Sequence, residues 1–364
     1  MKIVFLGRIT ESPYLSGPEK FSRQLHKNIL LKNINVVFIE YFFKKQTGSN
    51  IIKRFFGKCK ISDVPEVHRL GHLSLLLYLL NKKPDIVHIL TAERYTITVF
   101  LYKSFYRSKI VTTFHSVLRY EIPNNPRKKD NFNNYRDYLW EWLAVKLSDR
   151  MIFLSEQHLE LALKYYKFMD KNKIMIIPHA VEIDFSNNNK KLDINDCLRI
   201  IFYNGNNDSI DRGLTEIFKI LNQIDLPLRV YVIGDVTNIP AYNVSYEFVK
   251  IMSKDKLIRF LYDKHILLKS ITYDSFSIFS IECMAAGLIT ITSNMVGSSR
   301  FINDGENGFV YDYKKPERVL EILRDIYYKK YDVGKISSNA RKIINTLNWE
   351  NITKRYLDCY KEFI

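Results

Sequence analysis

Short apolar runs alternate with helical patterns along this chain, and the alternation begins twice. The run at 2–6 opens a first series, and the run at 199–203 opens a second one. Further strands are predicted at 35–40, 86–90, 109–114, 150–154, 173–177, 228–233, 265–270 and 288–292. Because strands joined through helices form parallel sheets covered on both faces, the pattern predicts an α/β chain with two doubly wound, Rossmann-like domains.

A polar, asparagine-rich stretch at 187–191 separates the two series and is interpreted as a linker. We therefore expect a first domain at 1–186, a second at 187–345, and a final helical segment at 346–364 that packs back on the first domain. The chain has 364 residues, which exceeds one ordinary domain, and its 46% apolar residues supply a core for each half.

The four cysteines are scattered and form no Cys-x-x-Cys pair, so a reducing, cytoplasmic setting is expected. Arg8 and Glu11 interrupt the apolar start too early for a signal peptide. The apolar run at 73–80 is far shorter than the roughly 20 residues that cross a bilayer. These features predict a soluble or peripheral protein.

Positive charge is concentrated in the first half of the chain. Residues 1–180 contain 30 Lys and Arg against 15 Asp and Glu, whereas residues 181–364 contain 25 against 24. Such asymmetry predicts a polyanionic partner for the first half, either membrane phosphates or nucleic acid. No nucleic-acid recognition motif accompanies the charge, so an anionic membrane surface is favoured and nucleic acid is not expected.

One basic run stands out between positions 44 and 60, where six bases occur without an acid. Aromatic rings among lysines suit a membrane interface, where the rings lie at the headgroups. A solvated loop is the alternative. The bases 127–129, close to two tryptophans, lend the membrane interpretation some support. The residues expected on the membrane or acceptor side are Lys53, Arg54, Phe55, Phe56, Lys58 and Lys60.

Two acids with seven residues between them mark the second half. Asp274 follows a strand, and Glu282 lies in an apolar run beside Ile281 and Cys283. Burying even a neutral polar group costs roughly 2–7 kcal/mol, so Glu282 needs a polar partner in the protein or in a ligand. That requirement points to an enzyme.

A helix is predicted at 276–286, ended by Gly287. If it begins near Ser275, the free backbone N–H groups of Phe276, Ser277 and Ile278 are placed to hold a diphosphate. Glu282 would then accept ribose hydroxyls and Asp274 sugar hydroxyls. The alternative is that Asp274 and Ser275 only cap the helix.

The stretch 273–310 resembles the retaining glycosyltransferases of family four, which have the GT-B fold with two domains facing across a cleft. That family reads acid-x-Phe-Gly-Leu, then Glu-Ala-Met-Ala-x-Gly, then Asp-Gly-x-Asn-Gly. This chain has Asp274-Ser-Phe-Ser-Ile, Glu282-Cys-Met-Ala-Ala-Gly and Asp304-Gly-Glu-Asn-Gly at matching spacing. Weaker matches extend over nearly the whole chain.

The resemblance implies donor-binding roles for Glu282, for Gly205 and Arg212 at the start of the second domain, and for Gly17 in an N-terminal loop. A Gly-Pro turn without a ligand is the alternative for Gly17.

The resemblance also implies catalytic roles for Asp274 and for His115, which follows a strand. A lone structural histidine is the alternative for His115. His88 and His179 are interpreted as structural.

Two residues depart from the family pattern, one in side-chain length and one in charge. The first acid is Asp274 instead of the usual Glu, and Asn206 stands where a first base is usual. The diphosphate would therefore be met by Arg212 and backbone alone, or with the help of Arg300.

The expected function, which the resemblance implies, is transfer of a hexose from a UDP- or GDP-type nucleotide sugar to a lipid-linked saccharide, with retention and without a metal or other cofactor. Assembly of a bacterial surface polysaccharide, such as lipopolysaccharide O-antigen or capsule, is the expected pathway. The enzyme would lie peripherally on the inner face of the cytoplasmic membrane. A GT-B nucleotide-sugar 2-epimerase and a non-catalytic, membrane-docked scaffold are the alternatives.

Overall fold

The computed structural model of the chain describes residues 1–9, 17–42, 51–60, 66–124, 133–182, 185, 192–205, 213–234, 244–269 and 273–364. They form two compact units. Unit 1 comprises Met1–Pro123, Lys128–Pro178 and Trp349–Ile364, and unit 2 comprises Asn124–Arg127 and His179–Asn348. The chain thus divides after Pro178 and after Asn348, whereas the sequence placed the divisions after 186 and 345.

The strands of unit 1 form one eight-stranded sheet, in the order β3-β4-β2-β1-β5-β6-β7-β8. Every neighbouring pair is parallel except β3 and β4, which are antiparallel. The strands are β1 (Lys2–Gly7), β2 (Asn35–Tyr41), β3 (Lys58–Lys60), β4 (Val67–Leu70), β5 (Ile86–Ile89), β6 (Lys109–Thr113), β7 (Arg150–Phe153) and β8 (Ile174–Ile176).

Helices cover the sheet of unit 1 because its central strands are mostly apolar and bury side chains on both faces. In β1, for example, residues 3–7 are all buried, as expected for a parallel strand covered on both faces. The helices are α1 (Gly17–Leu30), α2 (Ile51–Phe56), α3 (His72–Lys82), α4 (Thr96–Phe105), α5 (Leu118–Glu121), α6 (Asn133–Leu147) and α7 (Glu156–Tyr165), with a 3₁₀ turn at Lys171–Lys173.

Unit 2 contains a six-stranded sheet that is parallel throughout, in the order β11-β10-β9-β12-β13-β14. Its strands are β9 (Leu198–Gly205), β10 (Leu228–Gly234), β11 (Ser245–Val249), β12 (Ile266–Lys269), β13 (Ile289–Ser293) and β14 (Phe309–Tyr311). Its helices are α8 (Leu214–Leu221), α9 (Lys254–Leu261), α10 (Ile278–Ala285), α11 (Arg318–Tyr327), α12 (Val333–Arg341) and α13 (Ile343–Thr346), with a 3₁₀ turn at Gly297–Phe301.

The last helix, α14 (Trp349–Lys361), belongs to unit 1 and packs against α1. Phe21 of α1 contacts Trp349 and Tyr356, with ring centroids 5.9 and 5.7 Å away.

His88 joins this helix to the sheet of unit 1. The Tyr360 hydroxyl lies 2.6 Å from Nδ1 of His88, whose Nε2 lies 2.9 Å from the Thr113 hydroxyl. His88 is therefore a buried structural residue, as the sequence indicated.

Some sequence expectations need correction, and others lie outside the described residues. The basic segment 51–60 is not an irregular loop, because it forms α2 and the edge strand β3. The linker at 187–191, the bases at 44–45 and the basic group at 127–129 lie outside the described residues. Within the described residues, no helix is both long enough and apolar enough to cross a bilayer.

Candidate active site

Helix α10 connects β12 to β13, two neighbouring parallel strands near the middle of the unit 2 sheet. Its N-terminus therefore lies at the carboxyl edge of the sheet, the edge at which α/β proteins bind ligands. The segment 273–277 leads into this helix and contains Asp274. The same helix carries Glu282, so both predicted acids belong to one strand–loop–helix element.

The Asp274 side chain is held by two amides and a lysine. Its Oδ1 accepts hydrogen bonds from the backbone N–H groups of Phe276 (3.2 Å) and Ser277 (3.0 Å). Its Oδ2 lies 3.0 Å from Nζ of Lys269, a lysine that is only 3% exposed at the end of β12. The carboxylate is thus both the cap of the turn before α10 and the partner of a buried cation.

The backbone of Asp274 also ties this turn to the neighbouring loop. Its N–H donates to the Met295 carbonyl (3.3 Å), and its carbonyl accepts from the N–H of Gly297 (2.9 Å). These two bonds belong to a short parallel bridge beyond the ends of β12 and β13. Two loops of the carboxyl edge are therefore held together at this residue.

The structure corrects the expected start of the helix. α10 begins at Ile278, not near Ser275, and the amides of Phe276 and Ser277 already donate to Asp274. Of the three amides expected to bind a diphosphate, Ile278 is the one at the true helix start. Any anion at this edge would therefore meet the first turn from Ile278 onward.

Ser277 precedes the helix in a left-handed conformation, with φ of +67°. For a residue other than glycine that conformation costs roughly 1–2 kcal/mol, because its Cβ crowds the following carbonyl. The Ser277 hydroxyl bonds to the Ser280 hydroxyl at 2.8 Å, which offsets part of that cost. The turn is the one in which the resembled family carries glycine.

Glu282 is 5% exposed in the middle of α10, where residues 279–285 are all buried. Gly287 follows the helix with φ of +84°, and a side chain there would collide with the Arg341 guanidinium. The sequence prediction of a carboxylate in an apolar helix is confirmed. Its assignment to a ribose remains a prediction.

The third motif, Asp304-Gly-Glu-Asn-Gly, forms a self-bonded loop before β14. Asp304 Oδ1 accepts from the N–H of Val310 (2.8 Å), and Asn307 Oδ1 accepts from the N–H of Asn303 (2.7 Å). The backbone is left-handed at Gly305, with φ of +78°. This motif positions β14, so it serves the sheet that carries the site.

Two of the predicted site residues, Gly17 and His115, lie in unit 1, whereas Asp274 and Glu282 lie in unit 2. Gly17 is the first residue of α1, and His115 follows β6 by two positions. The ring of Phe21, one turn after Gly17, lies 5.2 Å from the His115 ring. These two candidates therefore share the carboxyl edge of the unit 1 sheet.

The remaining predicted donor residues belong to the unit 2 part of the chain. Gly205 ends β9, whereas Asn206 and Arg212 lie outside the described residues. Arg300 is exposed, in the 3₁₀ turn after β13.

Two features at the carboxyl edges of the sheets were not predicted from the sequence: Lys269 in unit 2, and the ion pair of Arg8 and Glu93 in unit 1. Lys269 ends an apolar strand, and that placement of a cation was the available signal. At the edge of unit 1, Arg8 follows β1 and its Nε lies 2.7 Å from Oε1 of Glu93, which follows β5. Burial raises the pKa of Glu93 to about 7, against the opposing attraction of Arg8. The signal for this pair was a charged residue soon after each of two buried strands.

Two family models match the chain. Residues 17–185 match Glycosyltransferase Family 4, and residues 211–343 match Glycosyl transferases group 1. Among curated proteins, spore coat protein SA of Bacillus subtilis (strain 168) is 32% identical over 85 residues, 22% of this chain and 22% of that protein. D-inositol 3-phosphate glycosyltransferase of Paenarthrobacter aurescens (strain TC1) is 26% identical over 94 residues, 25% of this chain and 22% of that protein. The chain thus spans about a fifth of the length of these relatives.

Solved structures match over the whole chain. Sucrose-phosphate synthase from Thermosynechococcus elongatus superposes with a TM-score of 0.73 at 15% identity, over 99% of this chain and 98% of that one. The lipopolysaccharide outer core galactosyltransferase WaaB gives 0.72 at 13% identity, over 100% of both chains. Anabaena Alr3699/HepE in complex with UDP-glucose gives 0.68 at 13% identity, again over 100% of both. These likenesses establish the GT-B fold, with its two Rossmann-like α/β domains.

Proposed function

Because the chain carries both domains of a GT-B glycosyltransferase, we propose that it transfers a hexose from a nucleotide diphosphate sugar to an acceptor hydroxyl, with retention of configuration. The observation that carries the proposal is Glu282, a carboxylate 5% exposed in an apolar helix whose N-terminus lies at the carboxyl edge of the unit 2 sheet. A buried carboxylate suits a ligand with paired hydroxyls, such as a ribose.

The donor is proposed to lie along α10. Glu282 accepts the ribose hydroxyls, and the first turn of the helix from Ile278 receives the diphosphate. UDP is the nucleotide to test first, because Alr3699/HepE was solved in complex with UDP and with UDP-glucose. Arg212, Gly205 and Gly17 are proposed to complete the phosphate site, with Arg300 as a further base.

The chemistry follows from where charge develops. As the bond from the sugar to the diphosphate breaks, negative charge grows on the leaving phosphate, and helix amides and Arg212 stabilise it. The leaving phosphate itself takes the acceptor proton on the same face of the sugar, which retains configuration. Asp274, fixed by Lys269 and two amides, is proposed to orient the sugar. His115 is proposed as a second catalytic residue that faces the donor sugar. Neither step calls for a metal ion.

The acceptor is proposed to be a lipid-linked saccharide of bacterial surface polysaccharide assembly. Residues 1–180 carry the excess of positive charge, which suits the diphosphate of such a lipid. Two structures with the same fold, WaaB and WaaG, bear names from lipopolysaccharide biosynthesis. A peripheral position on the inner face of the cytoplasmic membrane would bring this acceptor to the enzyme.

Binding and turnover test the proposal in sequence. Calorimetric titration and thermal unfolding with UDP and GDP should show binding of one of them, since a ligand of the native state raises its apparent stability. UDP- or GDP-sugars should then release free nucleotide in the presence of a lipid-linked acceptor, equally well with and without a chelator. No binding of either nucleotide would overturn the donor site.

A non-catalytic scaffold is the second candidate, because both oxygens of Asp274 already have protein partners. Nucleotide binding without turnover on any sugar donor would favour it. Sugar transfer, or slow hydrolysis of the donor that depends on Asp274, would exclude it.

A further inference from the structure

Unit 1 exposes large apolar side chains on three adjoining helices. α2 packs against α3, and α3 packs against α4. Their outward residues, each between 45% and 73% exposed, include Phe55 and Phe56 on α2, Leu77 on α3, and Phe100, Leu101 and Phe105 on α4. We call this surface the α2–α4 face. Monomeric proteins rarely leave so many large apolar groups together in water without a use for them.

The exposed residues are not needed by the core beneath them. On α4, Val99 and Tyr102 are fully buried and belong to a core cluster that α3 also joins. Phe100, Leu101 and Phe105 on the same helix are exposed instead. The helix is therefore apolar on both its buried and its outward side.

Unit 2 offers a contrast. Its exposed large apolar residues are single side chains on separate elements, namely Phe248, Tyr262, Tyr313 and Tyr328. Scattered groups of this kind are ordinary on protein surfaces. Among the described residues, the grouping of exposed apolar side chains is thus a property of unit 1, the unit that also carries the excess of positive charge.

The charge on the helices of the α2–α4 face has one sign. None of the three contains Asp or Glu, whereas α2 carries Lys53 and Arg54, and the adjoining strand β3 carries Lys58 and Lys60. A second copy of the chain bound symmetrically through this face would bring like charges together, which costs free energy. An anionic surface with an apolar layer behind it meets both features at once.

We propose that the α2–α4 face docks on an anionic lipid bilayer. The phenylalanine and leucine side chains enter the boundary between headgroups and acyl chains, and the bases on α2 and β3 meet the anionic headgroups. The proposal deepens the membrane location given under the proposed function and rests on it. It widens the predicted surface from 53–60 to include α3 and α4.

Co-sedimentation with vesicles tests the proposal on the full chain. The vesicles contain phosphatidylglycerol and phosphatidylcholine in equal parts, or phosphatidylcholine alone. The matched control, Phe248→Ser with Tyr262→Ser, removes exposed aromatic rings from unit 2. Two variants alter the face itself: the first combines Phe100→Ser, Leu101→Ser and Phe105→Ser, and the second changes Lys53, Arg54, Lys58 and Lys60 to Gln.

The parent and the control should bind the anionic vesicles, and binding should fall as salt is added. Because each base near an anionic surface adds attraction that salt screens, loss of four bases should weaken binding at low salt by about two to three orders of magnitude. The α4 variant should lose binding at low salt as well. Thermal unfolding and UDP titration of each variant establish that it is folded and keeps its donor site.

Equal binding of either variant and the parent to anionic vesicles would overturn the proposal. So would a dimer, detected by sedimentation velocity, that dissociates in the α4 variant while no form binds vesicles. A different result would contradict the proposed function alone: the parent protein would bind the vesicles but would bind no nucleotide.

Discussion

Glu282 combines a carboxylate with almost complete burial, and its replacement tests the donor site at the scale of one residue. Glu282→Ala should lower the affinity for the nucleotide at least tenfold, which corresponds to about 1.4 kcal/mol. Glu282→Gln should lose less, because an amide oxygen still accepts one hydroxyl. Calorimetric titration measures both. Glu321→Ala, at an exposed acid on α11, is the control and should bind as the parent does. Unchanged affinity in Glu282→Ala would contradict the ribose assignment.

The ion pair between Asp274 and Lys269 provides a second test, because the Asp274 carboxylate balances the charge of a buried ammonium group. Asp274→Ala leaves the Lys269 ammonium buried without this carboxylate and should lower the free energy of unfolding by about 3 kcal/mol. The double variant Asp274→Ala, Lys269→Met should recover most of that loss, because it removes the buried charge as well. Urea unfolding of the three proteins measures the recovery.

The same double variant separates structure from chemistry. If Asp274 orients the sugar, the double variant should bind UDP normally and still turn over the donor at least tenfold more slowly than the parent, about 1.4 kcal/mol in the barrier. Turnover at the parental rate would show that Asp274 has only a structural role, as the cap of the turn and the partner of Lys269.

At the scale of elements, α14 is joined to the unit 1 sheet by buried hydroxyl groups. Tyr360→Phe removes the hydroxyl that lies 2.6 Å from His88 Nδ1 and should lower the free energy of unfolding by about 1 kcal/mol. Tyr262→Phe, at an exposed tyrosine of unit 2, should change it little. Urea unfolding compares the two. An equal effect of both substitutions would mean that the His88 contact does not stabilise the helix.

The long buried strands were predictable because a continuous apolar run by itself indicates a strand that is covered on both faces. The strands β3, β4, β11 and β14 were missed. β3 reads Lys-Cys-Lys and is exposed throughout, and its pairing with β4 alone makes it a strand. In β4, Arg69 interrupts the apolar pattern because it pairs with the buried Glu40. Strands of this kind are defined by pairing with a neighbouring strand more than by their own residues.

The candidate site was predictable in its residues and less so in its geometry. Glu282 could be found because a carboxylate in an apolar helix is conspicuous. The start of α10 was placed near Ser275 because serine and aspartate are common caps. The left-handed backbone at Ser277 delays the helix to Ile278, and Asp274 takes the intervening amides. Such a turn depends on contacts with β12 and with the loop after β13, which local sequence does not reveal.

At the scale of the whole molecule, buried histidines of unit 1 make the free energy of unfolding depend on pH. Burial lowers the pKa of His26 to about 4 and that of His88 to about 3. A histidine whose folded pKa lies below its unfolded value of about 6.5 takes its proton more readily in the unfolded chain. The stability that these two neutral rings contribute is therefore present above about pH 6.5 and is lost as the pH falls toward 4.

His26→Leu should reduce this loss, because leucine fills the site between Phe5 and Phe38 without binding a proton. Between pH 7 and pH 5 the parent should lose on the order of 2 kcal/mol more of its free energy of unfolding than the variant does. Urea unfolding at the two pH values measures the difference. The raised pKa values of Glu93 and Glu141, both about 7, act in the opposite direction but are common to both proteins. The same pH dependence in both would show that His26 is not the proton-linked group.

Since α14 belongs to unit 1, that unit is assembled from segments on both sides of unit 2 in the chain. During synthesis, residues 179–348 leave the ribosome before Trp349–Lys361 does. The nascent chain can therefore complete the unit 2 sheet while unit 1 still lacks the helix that covers Phe21 and His88. Until α14 emerges, Phe21 and His88 lack the helix that covers them, and we expect chaperones to bind the apolar side chains left exposed there.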